Sequence, residues 1–150
     1  MKRIFLSFAP EDAVEVKGLL SLLESPDFEL DFYEVPLGVD FKSEGAKSLK
    51  QAIGAKIVQC SVTICLIGED SHKSPWVDCQ LQKSRNKGNR IIAMALRKVE
   101  TAVLPDVVRE ENLRFYPWNP KKLRELIREE SRHQDPILMS EGRIIKKEEA

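Results

Sequence analysis

No apolar run in this 150-residue chain approaches the roughly 18 residues that a membrane-spanning helix needs. The basic and then apolar start, Met1-Lys2-Arg3-Ile4-Phe5-Leu6, is too short for a signal-peptide core and meets Glu11 and Asp12 at once, so a cytoplasmic address is expected. Net charge is also missing. With 24 basic and 24 acidic side chains, no global field draws the chain to nucleic acid or to an anionic membrane, and neither is expected as a partner. Only three cysteines are present, Cys60, Cys65 and Cys79, without any Cys-x-x-Cys spacing. They read as small buried hydrophobes rather than as zinc ligands with His72. Seven glycines never fall into Gly-x-Gly-x-x-Gly, which removes the dinucleotide fingerprint. No repeat or low-complexity segment appears.

What remains is an ordinary globular composition, 42% hydrophobic and 32% charged, at the length of one domain. Five apolar runs alternate with helical patterns. Arg3 to Phe8 is a first strand, and Val16, Leu19, Leu20 and Leu23 recur at helical spacing after it. Phe28 to Tyr33 alternates apolar and acidic residues, the pattern of a half-exposed strand at or near a sheet edge. The Pro/Gly-containing loop Val35 to Ser43 follows, with Ser43 expected to cap a helix carrying Leu49, Ala52, Ile53 and Ile57. Ser61 to Gly68 is short, β-branched and nearly all apolar, a strand buried on both faces. Ser74 is then a natural N-cap and Pro75 suits the first helical position of a helix stopped at Lys87-Gly88-Asn89. Arg90 to Leu96 is another buried strand. Thr101 to Asn112 has room for one or two helical turns, Leu113 to Tyr116 is a short fifth strand, and Lys121 to Arg132 is an amphipathic last helix. Residues 1–133 are expected to form the domain and the charged residues 134–150 a tail.

Alternation of this kind predicts an α/β, flavodoxin-like fold: three layers, a five-stranded mainly parallel sheet of order 2-1-3-4-5, and helices on both faces. Its switch point lies between the first and third strands. The loops after Phe8 and after Gly68 are expected to face each other across one crevice, with the Pro36–Ser43 loop leaning over it. Flavin does not suit that place, because Ser7-Phe8-Ala9-Pro10-Glu11-Asp12 has no glycine and two acids. A phospho-accepting receiver does not suit it either, because the third strand ends in Ile67-Gly68 rather than in an aspartate.

One further tenant fits. Arg3-Ile4-Phe5-Leu6-Ser7-Phe8 followed by Glu11-Asp12 resembles the opening box of TIR and TIR-like domains. Ser61-Val62-Thr63-Ile64-Cys65-Leu66-Ile67-Gly68, then Ser74-Pro75-Trp76-Val77-Asp78-Cys79-Gln80-Leu81, resembles the bacterial and archaeal TIR-like group that includes Thoeris anti-phage systems. Lys87-Gly88-Asn89-Arg90-Ile91-Ile92 extends the resemblance, which covers roughly residues 3 to 97. The resemblance implies a link to NAD as substrate or ligand, without a tightly bound cofactor or metal. It also implies a catalytic glutamate four residues beyond this tryptophan, where this chain has Gln80.

A carboxylate there would orient ribose hydroxyls and stabilise positive charge on the sugar, as glycosidase carboxylates do. An amide supplies no charge, and losing one such preorganised group commonly costs roughly 10²–10³ in rate. Asp78 stands about 200° away around the helix and cannot substitute, whereas Glu69 and Asp70 at the crevice mouth could. The nucleotide-binding candidates are Ser7, Phe8, Asp40, Phe41, Gly68 and Trp76. Phe8 reads equally as a base platform or as a core residue, Trp76 more readily as packing than as a stacking platform, and Asp40 and Phe41 also read as a turn acid and a hydrophobic anchor. His72 is expected to be solvated, Cys79 to be packing, and the basic end Lys83 to Lys87 to complement its helix dipole. Three functions follow: a TIR-like signalling module that binds nucleotide or self-associates with little NAD cleavage, an active NAD hydrolase or cyclase, and a non-enzymatic adaptor. Self-association, a cognate effector protein and an NAD-derived nucleotide are the partners expected.

Overall fold

A computed structural model of the chain describes residues 2–96 and 102–132. The segment 134–150 and the first residue of the 101–112 stretch lie outside the described residues. Five strands, β1 (Lys2–Ser7), β2 (Phe28–Asp31), β3 (Val62–Ile67), β4 (Arg90–Ala95) and β5 (Phe115–Tyr116), form one sheet of order β2-β1-β3-β4-β5. Every pairing is parallel. Four α-helices connect them, α1 (Ala13–Leu23), α2 (Ala46–Val58), α3 (Pro75–Lys87) and α4 (Asp106–Glu110), and α5 (Pro120–Arg132) follows β5. Parallel strands need crossovers, and the helices of those crossovers cover both faces of the sheet. Among the described residues no helix is long and apolar enough to cross a membrane.

The period-2 alternation of the strands divides the core. Ile4, Leu6, Ile64, Leu66, Ile92 and Met94 point to one face, where Val16 and Leu23 of α1 and Leu123, Leu126 and Ile127 of α5 cover them. Phe5, Cys65, Ile67 and Ala93 point to the other face, under α2, α3 and α4. All six residues of β3 are buried, as a central parallel strand requires.

Local signals account for most boundaries. The Ser74 hydroxyl accepts the Val77 N–H at 3.3 Å while Pro75 occupies the first turn, and α3 closes on Gly88 at φ 91°. β2 lies at the sheet edge but stops at Asp31, where the Phe32 N–H leaves the ladder for the Asp31 carboxylate (2.9 Å). Ser43 does not cap α2. Two successive turns, Ser43 N–H to Asp40 O and Ala46 N–H to Ser43 O, occupy the backbone there, and the Ser43 hydroxyl donates to Asp40 O. The helix therefore starts later, at Ala46, with Gly45 at its cap and no side-chain cap bond.

Candidate functional site

From the carboxyl end of β1 to the start of β3 the sheet carries a short polar ladder beneath α3. Ser7 lies opposite Cys65 in the register, on the face that α3 covers. Its hydroxyl donates to the Gln80 amide oxygen at 2.6 Å, and both residues are buried, Gln80 at 2% exposure. One helical turn further on, Ser84 Oγ and Thr63 Oγ1 share a second buried hydrogen bond of 2.7 Å. Gln80 and Ser84, four apart, thus face the sheet together. Asp78 is on the outer side of the helix, where its carboxylate accepts from the Gln82 amide (2.7 Å).

The loops after β1 and β3 do meet, but they close on each other instead of leaving a gap. A Cβ placed on Gly68 would lie 2.4 Å from Asp12 Oδ2 and 2.9 Å from Asp12 Cγ. The buried Asp12 carboxyl therefore fills the switch point, and the Gly68 N–H is satisfied by Ser71 Oγ at 2.8 Å. The open space is displaced sideways. A cleft of about 360 Å³ is lined by Pro10 and Glu11, by the Pro36–Val39 loop with Phe41, and by Asp70 and Lys73 to Trp76 at the start of α3. The long loop leans over this cleft. A larger groove, about 540 Å³, runs along the outer edge at β2 between Leu20, Pro26, Phe28 and Phe32. The smaller cleft is the better candidate, because open α/β sheets place ligands outside the carboxyl ends of their strands near the switch point.

The residues singled out from the sequence are distributed as follows. Trp76 and Phe41 both line the cleft and meet edge to face, with ring centroids 4.9 Å apart at 81°. Trp76 is only 4% exposed, so its ring belongs mainly to the core shared with Ile53 and Ile57 of α2. Lys50 Nζ covers the Phe41 ring at 3.8 Å. Ser7, Gly68 and Gln80 sit below the cleft without lining it. Phe8 packs on the opposite face of the sheet, its ring 5.7 Å from that of Phe32, and does not reach the cleft. Asp40 is exposed and turns inward on its own loop, accepting the Lys42 N–H at 3.0 Å. Of the two acids after β3, Asp70 lines the cleft, 3.9 Å from Lys73 Nζ, while the exposed Glu69 does not. Glu11 completes the lining, although it was not among the nucleotide-binding candidates; an acid directly after the first strand of a doubly wound sheet was the available signal.

No cysteine is poised as a nucleophile. Burial pushes the Cys65 thiol up to about 12, and burial also raises Cys79, ahead of the opposing influence of Lys83 and Lys50. Among the described residues no group of three or more His, Cys, Asp or Glu side chains could hold a metal ion. His72 is half-buried in a 3₁₀ turn rather than solvated; its Nδ1 is enclosed and has no hydrogen-bond partner among the described residues. The basic end of α3 is absorbed structurally, with Lys87 Nζ on Cys60 O (2.9 Å) and Arg85 on Glu110 and Glu111.

With the parallel 2-1-3-4-5 sheet and the Trp76–Gln80 turn in view, the family profile of the Thoeris protein ThsB TIR-like domain matches residues 5–101. The chain belongs to this family. ThsB1 of Bacillus cereus (strain MSX-D12), named as a candidate cyclic ADP-D-ribose synthase, is 29% identical over 100 residues, covering 62% of this chain and 50% of that protein. This TIR-like domain thus spans about half the length of that relative. Two solved structures share its fold. The CMP N-glycosidase BcmB of Clostridium botulinum superposes with a TM-score of 0.52 at 20% identity, covering 84% of this chain and 97% of that one. A 2-deoxyribosyltransferase of Bacillus psychrosaccharolyticus superposes with a TM-score of 0.55 at 16% identity, covering 81% and 90%.

Proposed function

We propose that this TIR-like domain is a signalling module of a prokaryotic anti-phage or stress system that binds NAD or an NAD-derived nucleotide and cleaves it weakly or not at all. The observation that carries the second half is Gln80. At the position where the resemblance implies a catalytic glutamate, this chain has an amide that is buried and held by the Ser7 hydroxyl at 2.6 Å. It can supply no charge to a sugar that becomes positive as its glycosidic bond breaks. Support for the binding half comes from the cleft itself, where aromatic and aliphatic side chains such as Phe41 and Val39 stand beside the polar Glu11, Asp70, Lys73 and Ser74 at the carboxyl end of the sheet. Self-association or docking of a cognate effector would pass the bound state on.

A second reading, active NAD hydrolysis or cyclisation, has one observation in its favour: the Glu11 and Asp70 carboxylates line the cleft and are candidates for the missing charge. It also matches the name carried by the Bacillus relative.

Calorimetric titration with NAD tests the binding half. Saturable one-site binding is expected for the wild type. Val39→Trp, which enlarges a half-buried side chain of the lining, should weaken it by about tenfold or more while the melting transition persists, since roughly 1.4 kcal/mol of lost contact is tenfold. Absence of saturable binding, or equal binding by the variant, would reject this site.

A further inference from the structure

β2 is the last strand of the sheet, so the backbone groups on its outer side meet no strand among the described residues. An exposed strand edge is a template for pairing with another chain, and proteins commonly cover it with a further segment. The groove of about 540 Å³ follows this edge, between Leu20 and Glu24 of α1 and the stretch from Ser25 to Phe32. Leu20, Leu30 and Phe32 are only partly buried where they pack against the α1–α5 core. The charged residues of its lining are Glu24 and Glu29, and Glu29 is held by Arg3 at 3.1 Å. The groove thus has an apolar floor and a strand edge for a wall.

The chain leaves the described residues beside this groove. α5 starts at the carboxyl end of the sheet, where the Asn119 N–H meets Met94 Sδ (3.5 Å). It descends to the amino end, where Ile127 O accepts Lys2 Nζ (3.3 Å). One residue on, Arg128 Nε reaches Asp27 Oδ2 at 3.2 Å, next to Pro26 and Phe28 of the groove. Arg132 ends the helix about 6 Å later, roughly one turn. Beyond it the sequence stays polar until Pro136-Ile137-Leu138-Met139. The chain from Arg132 to Ile137 can reach about 17 Å, more than the roughly 13 Å from Phe28 to Phe32.

We propose that Ile137–Met139 turns back into this groove and lies along the outer edge of β2, in the same direction as that strand. Pro136, without an N–H, suits the first residue of such an edge segment. Residues two apart in an extended segment share a face, so Ile137 and Met139 together meet Leu20, Leu30 and Phe32. The segment seals in its own chain an edge with which a second copy could otherwise pair.

Hydrogen exchange of the full chain, read by mass spectrometry, tests this. The amides of 137–139 and of 28–32 should be protected about tenfold or more over those of the Ile137→Asp/Met139→Asp variant, because docking adds local protection. Amides of β3 should exchange alike in the two proteins, and the wild-type protection should not change with protein concentration. Exchange of 137–139 in the wild type at the rate of an unstructured peptide would overturn the proposal, as would equal protection of 28–32 in both proteins. Protection that grows with concentration would overturn it as well, by making a second copy the occupant. All of these outcomes leave the nucleotide reading of the cleft untouched.

Discussion

Gln80→Glu should destabilise the protein by about 2–3 kcal/mol at neutral pH, the order of cost for enclosing a carboxylate with a single good hydrogen bond. Gln80 is 2% exposed, and the Ser7 hydroxyl is the partner seen at its oxygen. The introduced carboxyl has nearly the same shape and can accept the same bond, so the fold is retained. Burial disfavours its charged form, which raises its folded pKa above the unfolded value. The variant is therefore nearly as stable as wild type below about pH 4, the ordinary glutamate value, and loses stability as pH rises through the folded pKa. Thermal melts of both proteins at pH 4 and pH 8 read this directly. A stability difference that is the same at both pH values would show that position 80 is solvated, contrary to the packing described here.

The second large effect is expected at Gly68. Gly68→Ala should cost about 2–3 kcal/mol, because the added methyl would lie 2.4 Å from Asp12 Oδ2 inside a closed contact. The backbone there is outside the left-handed region, so the cost is steric and not conformational. It should shrink below about 1 kcal/mol when measured in an Asp12→Ala background, since the two residues touch and their substitutions are not additive. Chemical denaturation of the four proteins of this cycle gives the coupling. Additive costs would mean that Asp12 does not occupy the switch point.

The architecture could be read from sequence because its signals are local. The β-branched run at Ser61 to Gly68, the Ser74-Pro75 start and the Gly88 stop each specify a boundary within a few residues, and alternation of strands with helices leaves few topologies. The site was legible only in outline. Trp76, Phe41 and Asp70 do converge on one cleft, and the long loop does overhang it. Parity would have separated Ser7 from Phe8: adjacent strand residues face opposite sides, so with Ser7 under α3 the Phe8 ring must enter the α1–α5 core. The closure of the switch point by Asp12 against Gly68 joins residues far apart in the chain, and no local pattern announces it. Ser43 illustrates the reverse error, a residue of the right type for a cap whose backbone is already committed to a turn.

Release of nicotinamide from NAD, followed by chromatography on the purified wild-type protein at high concentration to allow for assembly, tests the central claim most directly. With the buried amide of Gln80 in place of the carboxylate that the proposed reading requires there, NAD should stay intact, at or near the rate without protein. Sustained multiple-turnover release that is lost in Glu11→Gln or Asp70→Asn would contradict it, and would make one of those cleft carboxylates the catalytic residue.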